Sequence, residues 1–251
     1  MRYLIVSDIH GNWEALNAVL AHVRRKRFDR VVFLGDAVGY GASPNQVVGW
    51  LRSLGPKAAL VRGNHDRVCS GLDSPEYFNR YAREASSWTL QNLDPVNLDF
   101  LRSIPVGPVD LTPEVAICHG SAIDEDAYIF SAYDANLTFE GLNHRVVFFG
   151  HTHVPSLFVL EADERIPSPG VRLLAGRRVV VDLEPGARYL INPGSVGQPR
   201  DRDSRAAYAI FDDELSRVFV YRVNYRVAMA RRRILQAGLP PVLGDRLLYG
   251  A

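Results

Sequence analysis

Lysine is nearly missing from this chain: Lys26 and Lys57 are the only two, and arginine carries the rest of the side-chain positive charge. Such a bias is compatible with a GC-rich genome or with heat, and no function follows from it. Charge of either sign is not in excess, the formal net charge being +1. That balance argues against a general nucleic-acid or membrane-surface role, although a local basic patch stays compatible with it. Cysteine is scarce too. Cys69 and Cys118 make neither a disulfide framework nor a thiolate metal pair, and Cys118, ending an apolar run, reads as a small buried hydrophobe. No apolar run approaches the roughly 20 residues needed to cross a bilayer. Tyr3-Leu4-Ile5-Val6 leads straight into polar Ser7-Asp8, which is not the pattern of a secretory leader, so a cytoplasmic protein is expected.

What is present is an ordinary globular composition, 47% hydrophobic and 23% charged over 251 residues, enough to bury a substantial core. No internal repeat, low-complexity tract or composition break marks a second domain. Residues 1–251 therefore read as one domain, with an irregular surface tail over 238–251.

Strands alternate with helices in the first half. Residues 2–7, 30–34 and 58–61 read as buried strands. Between them, Trp13, Leu16, Val19, Leu20 and Val23 recur at helical spacing behind a possible cap at Asn12, and Ser43-Pro44 opens a second helix. Arg24-Arg25-Lys26-Arg27 closes the first helix, where positive charge complements the dipole. This order predicts βαβ units with parallel strands, whose carboxyl ends are where sites form. Residues 75–101 read as one or two helices, the second starting at Pro95. Tyr77, Phe78, Tyr81, Trp88 and Leu90 form an aromatic-rich side expected to pack in the core. After Pro105 short strands dominate, with antiparallel hairpins expected around Ala175-Gly176-Arg177 and Asp212-Asp213-Glu214, and a basic helix over 226–237.

Five loops repeat one arrangement. Asp8-Ile9-His10, Gly35-Asp36, Gly63-Asn64-His65-Asp66, His119-Gly120 and Gly150-His151-Thr152-His153 each follow an apolar run. A turn explains any one of them cheaply. Taken together they hold five of the seven histidines and gather carboxylate, amide and imidazole, the preferred donors of a metal site. His22 and His144 lie outside the set and read as surface or capping residues.

In this order the motifs Asp-x-His, Gly-Asp, Gly-Asn-His-Asp, His-Gly and Gly-His-x-His resemble those of the calcineurin-like metallophosphoesterases. The resemblance extends to Asn192-Pro193-Gly194-Ser195. It implies an α/β fold, a four-layer αββα sandwich, with two divalent metals at the strand ends. Asp8, His10 and His153 would hold one metal, Asn64, His119 and His151 the other, and Asp36 would bridge them. Manganese is the metal the resemblance favours; the mixed oxygen and imidazole donors also suit Fe²⁺, Zn²⁺ or Ni²⁺. Two such ions roughly 3.5–4 Å apart can share a hydroxide and clamp a phosphoryl group. His65, oriented by Asp66, would then protonate the leaving oxygen.

The substrate is less legible. Asn12, Tyr40 and Tyr128 are placed where they could face the site. Residues 124–133, acidic and aromatic, read equally as a pocket wall or a packed loop. Arg200 is a candidate phosphate contact, with a surface salt bridge the stronger expectation. A phosphodiesterase acting on a small nucleotide or similar diester is the leading reading. Phosphomonoester, phosphoprotein or dinucleoside-polyphosphate hydrolysis is the alternative. A silent scaffold is disfavoured because His65 and every ligand are present. A nuclease is disfavoured because the chain offers no electrostatic track for a long polyanion.

Overall fold

The computed structural model describes residues 1–161 and 168–251. In chain order the first half comprises β1 (Arg2–Val6), α1 (Trp13–Val23), β2 (Arg30–Phe33), α2 (Pro44–Ser53), β3 (Ala58–Leu60), α3 (Asn64–Cys69), α4 (Arg80–Asn92) and α5 (Pro95–Ser103). The second comprises β4 (Val109–Thr112), β5 (Val115–Ile117), α6 (Ala132–Gly141), β6 (Val146–Phe148), β7 (Ser156–Leu160) and β8 (Gly170–Leu173). It continues through β9 (Arg178–Asp182), β10 (Arg188–Asn192), β11 (Ala206–Asp212), β12 (Arg217–Val223), α7 (Val227–Gln236) and α8 (Pro241–Tyr249). Local chemistry starts several helices. Asn12 Oδ1 accepts from Ala15 N (3.1 Å), Asn79 Oδ1 from Ala82 N (3.1 Å), and proline opens α2, α5 and α8 where no N–H is needed.

The strands form two sheets of six, ordered β3-β2-β1-β11-β12-β9 and β4-β5-β6-β10-β7-β8. β1, β2 and β3 run parallel, as do β5, β6 and β10, while the remaining pairings are antiparallel. Alternation along each strand then builds the layers. Tyr3, Ile5, Val32, Leu34, Ala209 and Phe211 face the second sheet, where Ile117, Phe148, Tyr189 and Ile191 meet them. Leu4, Val6, Val31, Phe33, Tyr208 and Ile210 face outward onto α1, α2 and α5. On the far side Ala116, Val147, Phe149 and Leu190 pack against Ala135 and Phe139 of α6. This is the αββα sandwich. No helix among the described residues is long and apolar enough to cross a membrane.

Three expectations are corrected. The hairpin about Ala175-Gly176-Arg177 does not form: β8 pairs with β7 in one sheet and β9 with β12 in the other, so the turn crosses between sheets. The hairpin about Asp212-Asp213-Glu214 does form. The aromatic side of 75–101 is core only in part: Phe78 and Trp88 pack against the buried cluster of Tyr40, Ala82 and Leu243, and the rest faces out. Tyr77 is 94% exposed and Tyr81 and Leu90 are exposed, because α4 packs through its small residues Ala82, Ala85, Ser86 and Thr89. Finally, the tail is not irregular. Pro241 starts α8, Leu243 and Leu247 are buried with Tyr40, Ala230 and Ile234, and Gly250 ends the helix at φ +64°.

If α8 belongs to the core, Leu247→Ala should destabilise the fold by about 2–5 kcal/mol, whereas Leu248→Ala on its exposed side should stay within about 0.5 kcal/mol. Denaturant melts of the two variants measure the difference, and equal small effects would make α8 a loose appendage.

Candidate metal centre

Parallel strands bring their carboxyl ends to one side, so the five motif loops meet there. The loops after β1, β2 and β3 leave one sheet, and those after β5 and β6 leave the other. The meeting is close enough to bend the backbone. Asp8, His10, Asp36, His151 and His153 all sit in the left-handed region, with φ between 50° and 64°. Such conformations cost of order 1–3 kcal/mol each and persist only where neighbours over-determine them. Here they do: Asp8 N donates to Gly35 O (3.0 Å), His10 N to Asp36 O (2.9 Å), and His151 N to Asp8 Oδ1 (3.1 Å). Gly63 is needed for a different reason, since a Cβ there would overlap Asp36 Oδ1.

The seven expected ligands are all buried and converge. Donor atoms of Asp8, His10, Asp36 and His153 lie within 4.8 Å of one another, as do those of Asp36, His119 and His151. Asp36 is thus common to two clusters. Asn64 Oδ1 joins the second, 3.2 Å from His119 Nε2. Each imidazole spends one nitrogen on a backbone carbonyl: His10 on Val38 (2.9 Å), His119 on Leu34 (2.7 Å), His153 on Gln198 (2.6 Å) and His151 on Asp126 (3.0 Å). Donating to a carbonyl fixes the tautomer and leaves the other nitrogen's lone pair facing inward.

Those inward atoms need a cation. His10 Nε2 and His153 Nε2 stand 3.1 Å apart, Asp36 Oδ2 lies 3.5 Å from the first and 3.4 Å from His119 Nε2, and Asp8 Oδ2 and Asp36 Oδ2 have no hydrogen-bond partner. Burial keeps His10 and His153 far below the ordinary imidazole range and lowers His151 to about 3, so these rings are neutral donors. Burial also opposes charging His119, yet the Asp36 and Asp8 carboxylates outweigh it and push that ring up to about 10. Positive charge is wanted at this spot, and neutral imidazoles, carboxylates and an amide carbonyl are what a divalent transition ion accepts. The donor set fits two ions sharing Asp36.

The residues around this centre depart from expectation. Asp66 does not orient His65. Its carboxylate accepts four backbone N–H groups, from Asp36 (2.9 Å), Ala37 (2.8 Å), Val38 (3.3 Å) and Gly63 (3.1 Å), and so ties the Asp36 loop to the Asn64 turn. His65 instead meets Tyr40 Oη through Nε2 (3.1 Å), packs on Phe78 at 4.5 Å between ring centroids, and leaves Nδ1 buried without a partner. Asn12 is tied into the scaffold: Oδ1 caps α1, and Nδ2 donates to Gly197 O (2.8 Å) and Tyr225 Oη (3.3 Å). Tyr128 stacks on His151 at 4.0 Å and is 44% exposed, on the wall of the site. Glu125 and Asp126 in the same stretch anchor to Arg67, and Glu125 to Arg62 (3.1 Å), so the loop is both packed and lining. Arg200 forms no ion pair among the described residues; its Nη2 reaches Gln198 Oε1 (3.1 Å) and Tyr40 Oη (3.5 Å). Sequence reasoning missed Phe78, Arg67 and Arg246, whose Cζ lies 6.0 Å from the Tyr40 ring centre. Only Arg67, one residue past the third motif, carried any local signal.

Residues 1–214 match the calcineurin-like phosphoesterase superfamily domain, and the chain belongs to that family, whose members hydrolyse phosphate esters at a dinuclear metal site. It is 36% identical over 247 residues to an uncharacterised protein of Methanocaldococcus jannaschii, covering 98% of this chain and 97% of that one. It is 40% identical to a crystallised metallophosphoesterase from Sphaerobacter thermophilus, with a TM-score of 0.86 over 100% of both chains. A shorter match, 30% identity over 124 residues, relates 47% of this chain to 43% of a symmetrical bis(5'-nucleosyl)-tetraphosphatase of Sodalis glossinidius.

Asp66 touches no candidate ligand atom outside the backbone, so a purely local view makes it dispensable to the metals. The four N–H bonds predict otherwise. Asp66→Asn leaves buried donors unmatched, at about 1–3 kcal/mol each, and should lower both the melting temperature and the bound metal measured by elemental analysis. Full metal content in this variant would mean the two loops hold themselves.

Proposed function

We propose that this protein is a metal-dependent phosphodiesterase acting on a small phosphate diester, with Asp8, His10 and His153 holding one ion, Asn64, His119 and His151 the other, and Asp36 shared. The observation that carries the reading is the pair of donor clusters joined through Asp36. Divalent ions bound there, Mn²⁺ in the first instance, would activate water and neutralise the phosphoryl oxygens. The remaining work falls to the chain. His65 stands beside the clusters, its ring 5.0 Å from that of His10, and is the candidate proton donor to the leaving oxygen. Burial lowers it to about 4, so the free site holds a neutral ring. An anionic phosphate brought against it favours the protonated form, which couples proton uptake to substrate arrival.

A groove of about 220 Å³ next to Asn64 and His151 is walled by Tyr77, Phe78 and Tyr128. Exposed ring faces beside a phosphoester site suit a flat group such as a nucleobase, which stacks without regard to sequence. Hydrolysis of a dinucleoside polyphosphate is the second reading, favoured by the partial similarity to the symmetrical tetraphosphatase. Arg200 is retained here as a phosphate contact, since the surface salt bridge expected of it does not occur among the described residues.

Chelation should abolish turnover of bis(4-nitrophenyl) phosphate, and added Mn²⁺ should restore it; turnover that survives metal removal would refute the proposal.

The proton-donor role has a sharper consequence. General acid catalysis contributes about 10²–10⁴-fold, with the larger share on the poorer leaving group. His65→Ala should keep its metals and slow alkyl or nucleoside diesters far more than nitrophenyl esters. Rates against leaving-group pKa, at matched metal occupancy, decide it: an equal loss on both would make His65 a phosphate-binding residue.

A further inference from the structure

Two guanidinium groups converge on one buried ring at the edge of the metal centre. Arg200 Cζ lies 5.9 Å and Arg246 Cζ 6.0 Å from the centre of the Tyr40 ring. They arrive from separate parts of the fold, Arg200 from the loop after β10 and Arg246 from α8. Both are half-buried, and neither pairs with an aspartate or glutamate side chain among the described residues. Arg200 Nε is buried with no partner, and Arg246 Nε donates to a main-chain oxygen of Ala251, the last residue of the sequence (2.6 Å), with its two Nη groups left over. Other arginines that are not fully exposed are paired with acids, Arg67 with Glu125 and Asp126 and Arg222 with Asp201, or spent on backbone carbonyls, as Arg145 and Arg188 are. Two like charges held together and half out of water repel, and no acidic side chain among the described residues stands between them. An arriving anion would.

The direction in which that anion runs follows from the contacts. Tyr40 Oη meets His65 Nε2 at 3.1 Å on one side and Arg200 Nη2 at 3.5 Å on the other. Arg200 N also lies 3.4 Å from the carbonyl of His153, a candidate ligand. From the metal centre the path runs through His65 to Tyr40, whose ring the two arginines flank. Guanidinium forks match phosphate oxygens in pairs, which makes phosphate the anion these groups recognise best.

We infer that Arg200 and Arg246 form a second anion subsite beside the metal centre, one that takes a phosphate of the substrate other than the phosphate cleaved there. The inference rests on the phosphodiesterase reading and narrows it, from any small diester to esters that carry a further phosphate along the Tyr40 side. α8 then supplies a specificity residue.

The test separates the subsite from the chemistry by using binding as well as turnover. Adenosine 5′-monophosphate and 5′-diphosphate are titrated calorimetrically into metal-loaded wild type, Arg246→Ala and Arg246→Lys. The wild type should bind the diphosphate roughly tenfold or more tighter, as a charge-assisted phosphate contact implies. Arg246→Ala should erase that advantage, and Arg246→Lys, a point charge without the fork, should keep part of it. In turnover, kcat/KM for a dinucleoside tetraphosphate should fall, chiefly through KM, about 10–100-fold more than kcat/KM for bis(4-nitrophenyl) phosphate. A diphosphate advantage that persists in Arg246→Ala, or an equal fall on both substrates, overturns the subsite. An Arg246-dependent diphosphate advantage in a protein that hydrolyses no diester would sink the phosphodiesterase reading and leave the subsite standing.

Discussion

Two buried carboxylates with too few protons around them are the constraint on which this structure depends. Asp8 and Asp36 each keep an oxygen unpartnered, and His10 and His153 turn lone pairs, not N–H groups, toward the same space. A protein built for its own stability would not leave such a cluster at its centre, because desolvated charge without a partner is among the costliest things a fold can contain. The arrangement makes sense as half of a set of bonds whose other half is a pair of cations. Metal affinity and folding are linked wherever donors must be held in place beforehand, and the backbone shows what holds these. Five left-handed residues and the four N–H groups gathered by Asp66 keep the donors aimed before any ion arrives.

That preparation is shared between the two sheets. Asp8, His10, Asp36 and Asn64 come from one, His119, His151 and His153 from the other, so the inter-sheet core of Ile5, Leu34, Ile117 and Phe148 sets the distance between them. Shifting the sheets against each other would open the clusters without touching a ligand. Core packing and chemistry are in this sense a single property of the sandwich, since close-packed interiors transmit displacement and do not absorb it.

What the sequence disclosed and what it withheld divide along the same physical line. The set of candidate donors that converge was legible because each sits within a few residues of a strand end, and the chemistry of Asp-x-His or His-x-His is local. The strands 206–212 and 217–223 were legible because alternation is local too. Asp66 was misassigned because its partners are mostly the amides of residues 36–38, far away in the chain, while proximity in sequence suggested His65. α4 was read by its large residues when its small ones do the packing. α8 carried signals that were passed over, Pro241 at its start and Leu243 and Leu247 one turn apart, because a short segment near a terminus can be settled only by what it packs on.

The family match ends at residue 214, and α7 and α8 lie beyond it. The relative from Methanocaldococcus jannaschii spans them, whereas the tetraphosphatase of Sodalis glossinidius aligns with less than half of this chain. The two helices reach back over the motif loops: Ala230, Ile234, Leu243 and Leu247 bury Tyr40, which stands between His65 and the two arginines. Hydrolysis needs only the strand-end loops, whose donors are fixed by the sandwich. Choice of substrate is then open to whatever is packed on top of them. An appended helix pair can place a charge such as Arg246 beside the Tyr40 ring without disturbing a candidate ligand, because it packs on Tyr40 and not on the metal donors. On the proposed reading, catalysis and selection fall to different layers of the molecule, joined at one aromatic ring.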